Sequence, residues 1–383
     1  MNFTLKRCAA AAATLGLCAA LFACGGSYSS SYPVAPAPLP TPTPVVLPVP
    51  AGNYAATGLA ADSAATPGYG GETTRQFDSH LSNGWGLAAS ATSPFWVADN
   101  VTSLSSLYDG NGLVQALVVA LPTGAKPTGI VFNGTQDFKV SLGALTAVGT
   151  FLFSGESGKI FGWASSVDRG HALTMVDNSA AGAVYKGLAI GSFGGANFIY
   201  ASDFHNGRVD VFDASYKKAT LAGSFTDPTL PGGYAPYGIQ AIGDKIFVSY
   251  ARQDGALHDQ SAGAGLGMIN VFDMGGAFVR HLVLPGGALN APWGMAKAPA
   301  GFGAVGGMLL VSNFGDGKIN AFDIDSGALA GALSKADRTP LLIDGIWGIA
   351  FGNGSATQPL NTLYFTAGPG RQAQGAFGRI DLK

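Results

Sequence analysis

Trp85-Gly86-Leu87-Ala88 opens a three-part motif that decides the fold of this chain. The second part is Phe95-Trp96-Val97-Ala98-Asp99-Asn100, and the third part is Leu107-Tyr108-Asp109-Gly110. Apolar and β-branched or aromatic residues fill these parts, and the residues at their ends favour turns. The motif therefore predicts a series of short strands joined by tight turns.

The first part of the motif recurs about every fifty residues. Its glycines are separated by 43, 58, 51, 56 and 54 residues, which gives six copies. The later copies are Thr128-Gly129-Ile130-Val131, Lys186-Gly187-Leu188-Ala189, Tyr237-Gly238-Ile239-Gln240, Trp293-Gly294-Met295-Ala296 and Trp347-Gly348-Ile349-Ala350. A period of this length in short β segments is typical of propeller blades. We predict an all-β fold, a six-bladed β-propeller with four-stranded antiparallel blades.

The sixth unit contains one strand fewer than the others, because the chain ends after the third-strand segment Ile380–Lys383. The segment from Asn53 to Leu59 precedes the first unit and is left over. An open ring would expose two unpaired strand edges, so we predict that this N-terminal segment pairs beside the last strand and closes the ring. Variable fourth strands are expected at residues 114–121, 221–225 and 278–284.

The N-terminus resembles a lipoprotein signal peptide. Lys6 and Arg7 precede a short apolar run, which ends at Leu21-Phe22-Ala23-Cys24. A small residue before a cysteine matches the lipobox pattern, in which the thiol accepts a lipid. Residues 1–23 are therefore predicted to be removed and Cys24 to be lipidated; an ordinary secretory signal is the alternative. If the host is Gram-negative, Gly25 follows the cysteine in place of Asp, and the resemblance to lipoprotein sorting rules then implies the outer membrane.

Residues 24–52 form a Ser- and Pro-rich linker that carries eight of the 21 prolines of the chain. Proline cannot donate to a sheet or helix, so this segment is expected to stay extended as a stalk. The propeller domain is then residues 53–383. Removal of the signal peptide would leave Cys24 as the single cysteine of the mature chain, which excludes disulfides within it.

The charge of the chain argues against a nucleic-acid partner. The chain has 21 basic and 23 acidic residues, a formal net charge of −2, and only 11 % of its residues are charged. Phosphate binding needs a concentrated basic face, which this composition does not supply.

The motif resembles NHL-type propeller repeats. More closely, Asn83 to Asp109 is similar to a family of uncharacterised bacterial propeller proteins, and the likeness covers about residues 53 to 383. Some members carry an exopolysaccharide-associated sorting tail at the C-terminus. This chain ends at Lys383 without that tail, and the lipobox would take over anchoring. The resemblance implies no particular activity.

Familiar catalytic motifs do not occur in the sequence. The histidines show no metal-ligand spacing, and there is no Gly-x-Ser-x-Gly elbow or phosphate loop. The best candidate site is positional, because residues that precede the innermost strand or follow the second strand gather at one mouth of a propeller channel. The candidate binding residues at this channel mouth are Asn83, Trp85, Asp99, Asn100, Asp203, His205, Asn313, Asp344 and Trp347.

Two functions lead among those that remain open from the sequence, and a third possibility is that the ring is purely structural in a surface layer. The first is a binding or scaffold module of the cell envelope, anchored through Cys24, with a protein or glycan partner, no catalysis and no cofactor. The second is a metal-dependent hydrolase or lactonase at the channel mouth, in which Asp and Asn side chains would hold Ca²⁺. Glu72 and Glu156 are the only glutamates of the domain, which favours the first function. A monomer is expected in either case.

Overall fold

A computed structural model describes residues 52–70 and 75–383 of the chain. The signal peptide expected at residues 1–23, the lipidation site Cys24 and the linker through residue 51 lie outside the described residues, as does Glu72. Within the described part, helical structure is limited to single turns at Ser179–Ala181, Gly303–Val305 and Pro369–Gln372. None of these turns is long or apolar enough to cross a membrane.

The strands of the first half of the chain build three sheets. Two strands precede them, β1 (Tyr54–Ala61) and β2 (Gln76–Phe77). Blade 1 contains β3 (Gly84–Ala88), β4 (Phe95–Asp99), β5 (Leu104–Tyr108) and β6 (Val119–Ala120). Blade 2 contains β7 (Pro127–Phe132), β10 (Phe151–Gly155), β11 (Lys159–Trp163) and β12 (Leu173–Asp177), with a hairpin of β8 (Lys139–Leu142) and β9 (Leu145–Val148) inserted after β7. Blade 3 contains β13 (Tyr185–Phe193), β14 (Ala196–Asp203), β15 (Arg208–Asp213) and β16 (Lys218–Ala219).

The second half of the chain repeats this plan. Blade 4 contains β17 (Tyr234–Ile242), β18 (Lys245–Gln253), β20 (Gly267–Asp273) and β21 (Phe278–Val283), with the short β19 (Gln260–Ser261) beside β18. Blade 5 contains β22 (Pro292–Lys297), β23 (Leu309–Asn313), β24 (Ile319–Phe322) and β25 (Leu329–Ala332). Blade 6 contains β26 (Ile346–Phe351), β27 (Leu363–Ala367) and β28 (Ala376–Leu382), and β1 joins it as the fourth strand.

The six sheets close into a ring around one axis. The first strand of each blade contacts the first strand of the next blade, and β26 of blade 6 contacts β3 of blade 1. The four main strands of each blade pair antiparallel, whereas the short β2 pairs parallel with β1 at the outer edge of blade 6. Apolar side chains pack between adjacent blades. The predicted six-bladed propeller is confirmed.

The N-terminal strand closes the ring as predicted. Strand β1 pairs antiparallel with β28, from Tyr54 opposite Leu382 to Ala61 opposite Ala376. The Tyr54 side chain is buried, and its hydroxyl donates a 2.8 Å hydrogen bond to the Phe302 carbonyl oxygen in blade 5. The two ends of the chain thus satisfy each other's backbone groups, which leaves β28 without a free edge.

A repeated hydrogen bond explains why the first part of the motif contains a glycine and why a Ser or Thr often stands near the end of the second strand. A Ser or Thr near the end of the second strand donates to a carbonyl at the start of the next blade's first strand, for example Ser312 Oγ to Trp347 O at 2.6 Å. The same hydroxyl accepts from the motif glycine of its own blade, Gly294 N, at 2.8 Å. A Cβ on Gly294 would lie 2.4 Å from Trp347 O, so only glycine allows this approach between blades. Equivalent hydroxyls are those of Ser202, Ser249 and Thr366.

One strand lies outside its predicted position. The fourth strand of blade 3 was expected at residues 221–225, but it is Lys218–Ala219. Ser224 and Phe225 have positive φ values of 50° and 52°, which end any extended run. The Phe225 ring instead packs between blades 3 and 4, 5.4 Å from the Tyr200 ring and 5.3 Å from the Phe272 ring. This contact accounts for an apolar residue at a position outside any strand.

Candidate functional site

One mouth of the channel is filled by side chains from all six blades. The residue before each motif glycine lies at this end of the first strand, and all six residues are buried. We call them the axial plug: Trp85, Thr128, Lys186, Tyr237, Trp293 and Trp347. Their identical place in the repeat brings residues from distant parts of the sequence to one axis.

Aromatic stacking holds the axial plug together. The Trp85 and Trp347 rings stack with centroids 3.6 Å apart, and Trp293 meets Trp85 edge-on at 5.7 Å. Phe314 stacks on Trp347 at 4.1 Å. Beside the plug, the motif glycines and the residues that follow them surround a space of only about 40 Å³. The channel is therefore narrow at this level and closed by rings at the mouth.

Lys186 is the charged member of the axial plug. Its side chain is 0 % exposed, and its Nζ donates to Glu156 Oε1 and, at 3.1 Å, to Asp259 Oδ1. The ammonium also lies 5.3 Å from the centroid of the Trp85 ring, within reach of a cation–π interaction. Glu156 belongs to the turn after the second strand of blade 2, and Asp259 belongs to the long loop of blade 4. Three blades thus meet at one cation.

The carboxylates around Lys186 have further partners. Asn100 Nδ2 donates to Glu156 Oε2 at 3.2 Å, and His258 Nδ1 lies 3.0 Å from Asp259 Oδ1. Partial burial favours the neutral form of Asp259, but the Lys186 ammonium and His258 together outweigh it and hold the pKa of this carboxyl below its ordinary value. We call Lys186, Glu156, His258 and Asp259 the ammonium cluster.

The ammonium cluster includes a candidate metal-ligand set. Glu156, His258 and Asp259 each offer one ligand atom, and these atoms lie within 4.8 Å of one another. Among residues 52–70 and 75–383 this is the group of His, Cys, Asp or Glu side chains that meets this criterion. Lys186 Nζ bonds to two of the three, so an ammonium already occupies the place beside these carboxylates that a metal ion would need.

Four of the residues expected at the channel mouth meet at the axial plug. Trp85 and Trp347 are plug members, and Asn83 Oδ1 accepts a 2.9 Å hydrogen bond from Trp347 Nε1. Asn83 Nδ2 in turn donates to Asn100 Oδ1 at 3.4 Å, and Asn100 continues to Glu156. These two amides therefore connect the aromatic stack to the ammonium cluster.

Three other expected residues bury their side chains within the blades. Asp99 Oδ2 accepts from Ser106 N at 2.8 Å, and Asp203 Oδ1 accepts from Val184 N at 3.1 Å. Asn313 Nδ2 donates to Ala288 O at 2.8 Å. Burial raises the pKa of both Asp99 and Asp203 above the ordinary value. Because the hydrogen bonds of these side chains go to groups of their own blades or of the preceding connection, the structure does not bring these three residues to the plug.

The remaining two expected residues lie on loops. His205 is half-buried in the turn after the second strand of blade 3, where its carbonyl oxygen lies 3.4 Å from Gln253 Nε2. Asp344 is exposed, and its Oδ2 accepts from Gly370 N at 2.9 Å. These contacts do not connect either residue to the ammonium cluster.

Sequence reasoning missed the residues of the ammonium cluster. A usable signal was present for Lys186, because a lysine stands where the other copies of the motif have Trp, Tyr or Thr. No comparable signal exists for Asp259, since it lies in a loop that only blade 4 has. Glu156 and His258 likewise become candidate site residues only through contacts in the folded chain, Glu156 with Lys186 and His258 with Asp259.

Two viral proteins are similar to this chain over most of its length. Uncharacterized protein R648 of Acanthamoeba polyphaga mimivirus is 34 % identical over 314 residues, which cover 79 % of this chain and 76 % of the relative. Uncharacterized protein L690 of the same virus is 32 % identical over 314 residues, which cover 79 % of this chain and 81 % of the relative. The chain belongs to the family of these mimivirus proteins. The names of these two relatives state no activity, and the bacterial kinship expected from the sequence stays a prediction.

No family model matches the chain. Among solved structures, a streptogramin B lyase is 13 % identical with a TM-score of 0.46, over 79 % of this chain and 95 % of that one. A gluconolactonase from Xanthomonas campestris is 16 % identical with a TM-score of 0.48, over 79 % of this chain and 87 % of that one. Likenesses this distant do not indicate what the chain does.

Proposed function

We propose that this chain is a binding or scaffold module of the cell envelope, which engages a protein or glycan partner without catalysis. The observation that carries the proposal is the pairing of Lys186 with Glu156 and Asp259 at the closed channel mouth. A tethered ammonium neutralises the acidic groups that a metal-dependent enzyme would use. The packed rings of the axial plug fill the place at this mouth where a substrate would have to enter.

The alternative, a Ca²⁺-dependent hydrolase or lactonase, fits the ammonium cluster poorly. Ca²⁺ takes six to eight oxygen ligands at about 2.3–2.6 Å. The cluster offers the carboxylates of Glu156 and Asp259, both engaged by Lys186, and the imidazole of His258, which is a ligand for other metals. A Ca²⁺ ion would also have to displace an ammonium that is tethered to the chain.

Adding Ca²⁺ to the purified propeller is therefore expected to leave its thermal midpoint unchanged and to give no heat in a calorimetric titration. The variant Lys186→Gln serves as the comparison, because it removes the competing charge and keeps a polar side chain at this position. A rise of the wild-type midpoint with Ca²⁺ concentration, as mass action requires for a ligand of the native state, would reject the proposal in favour of the metal-dependent enzyme.

The proposed surface for a partner is the loop-rich rim around the axial plug. The rim is polar, and its exposed members include Asp259, whose side chain is 58 % exposed, and His258, at 39 %. The packed rings beneath the rim give it a fixed shape, which lowers the entropy cost of binding a partner. Since β1 covers the edge of β28, we propose that the module acts as a monomer.

We further propose that Cys24 anchors the module in the outer membrane and that residues 25–52 form a stalk between the membrane and the propeller. The net charge of −2 supports a partner other than nucleic acid. In a bacterial host, the wild-type protein should take up radiolabelled palmitate and sediment with membranes, while Cys24→Ser should do neither. Cys18→Ser is the matched control and should behave as the wild type. Equal labelling of the Cys24→Ser variant would exclude this anchor.

A further inference from the structure

The opposite mouth of the channel is an open cavity. It lies beyond the motif glycines, where the first strands of the blades diverge, and has a volume of about 320 Å³. We call it the distal funnel, and its walls include Leu87, Val131, Ile190, Gln240, Ala350 and Phe351. The narrow space of about 40 Å³ at the level of the glycines forms its floor. The funnel is thus a dead end rather than a passage through the ring.

The walls of the distal funnel carry no charged side chain among the residues that the structure describes. Two polar side chains line it, and Asn353 is committed to the fold: its Nδ2 donates to Ser90 O at 2.8 Å and to Ser93 O at 3.1 Å. Its Oδ1 accepts from Ser355 N at 3.0 Å. The amide of Asn353 therefore joins two blades and is not free for a ligand.

Gln240 is the second polar side chain, and its place in the repeat is unusual. The other five copies of the motif have an aliphatic residue at this position: Ala88, Val131, Ala189, Ala296 and Ala350. Gln240 is exposed, and the contact of its Nε2 is a long one, 3.5 Å to Ala241 O. A single amide with spare hydrogen-bonding capacity thus stands on a wall that is mainly apolar.

We propose that the distal funnel binds a neutral small molecule that has a mainly apolar body and one hydrogen-bonding group facing Gln240. The volume lies at the lower end of the range for small-molecule sites, which is about 300–1,000 Å³. An ionised ligand would lose its hydration without gaining a counter-charge from the walls. The site goes beyond the proposed partner surface and lies at the other mouth, so neither proposal depends on the other.

The test uses N-phenyl-1-naphthylamine, a neutral apolar fluorophore, with the full propeller. One molecule should bind per chain with increased fluorescence. The affinity should not change with salt or between about pH 5 and about pH 9, because none of the described residues that line the funnel titrates in that range. Ala88→Phe, which fills the funnel, and Gln240→Lys, which adds a charge, should each weaken binding about tenfold or more.

Gln136→Lys is the matched control, because Gln136 is exposed in the connection after the first strand of blade 2 but does not line the funnel. It should bind the probe as the wild type does, and urea unfolding should confirm that all variants are folded. The proposal is overturned if the probe does not bind the wild type, or if Ala88→Phe and Gln240→Lys bind it as tightly as Gln136→Lys.

Discussion

Replacing Lys186 with methionine is expected to lower the free energy of unfolding by about 3–5 kcal/mol at neutral pH. Methionine is unbranched and fills much of the same space beside Trp85, so the packing of the axial plug is retained. The ammonium is lost, however, and Glu156, whose side chain is 8 % exposed, keeps a buried negative charge without a cation. Asp259 contributes little to the loss because its side chain is 58 % exposed and stays hydrated.

Two further variants separate the buried charge from general disruption. The double variant Lys186→Met/Glu156→Gln should recover most of the lost stability, because a neutral amide no longer leaves a charge unpaired. Lys159→Met is the surface control: Lys159 pairs with Asp177 at 2.9 Å, but the side chains are 31 % and 48 % exposed, so its loss should cost less than about 1 kcal/mol.

Urea denaturation followed by tryptophan fluorescence measures these differences. If Lys186→Met lowers the free energy of unfolding no more than Lys159→Met does, then the Lys186 ammonium does not stabilise the closed mouth. A metal-dependent enzyme would gain support from that result.

Removing the closing strand is expected to abolish cooperative unfolding altogether. A chain that begins at Asp62 lacks β1, so β28 would expose its backbone donors and acceptors from Ala376 to Leu382. The cavity left by Tyr54, which is 1 % exposed, would lower the free energy of unfolding further. The missing hydrogen bond to Phe302 O would add to this effect. Because whole domains are stable by only about 5–15 kcal/mol, the loss of a complete strand pairing exceeds what the ring can tolerate.

A chain that begins at Gly52 is the matched control and should unfold with the same midpoint as the full-length protein. Near-ultraviolet circular dichroism and urea unfolding distinguish the two chains, and a peptide of residues 52–61 added to the shorter chain should restore its spectrum. A chain from Asp62 that keeps the full-length midpoint would show that the ring is stable without closure.

The number and order of the blades could be predicted from the sequence because the information is local and repeated. Each motif glycine makes room for an approach from the next blade: a Cβ on Gly238, for example, would lie 2.0 Å from Trp293 O. Six such glycines therefore indicate six contacts between blades. The unpaired N-terminal segment predicted closure on equally general grounds, since backbone pairing must be completed.

Strand boundaries were less predictable where a side chain packs between blades instead of within a strand. Phe225 shows this, because its apolar side chain suggested a strand while its positive φ excludes one. The same limit applies to Asp99 and Asp203, whose positions in the repeat pointed to the mouth. Their carboxylates instead accept hydrogen bonds from backbone amides. Asp side chains often bond to nearby backbone in this way, and the sequence does not show whether a given Asp does so or faces the channel.

The sequence by itself determined the all-β repeat, the six blades and the residues that stand at equivalent places in them. Only the tertiary structure decided that Lys186 meets Glu156 and Asp259, which lie 30 and 73 residues away along the chain. The physical reason is the ring: local hydrogen bonding and side-chain patterns specify each blade, whereas contacts at the axis arise only when several blades converge. A buried cation and its counter-charges are therefore properties of the closed ring and not of any one repeat.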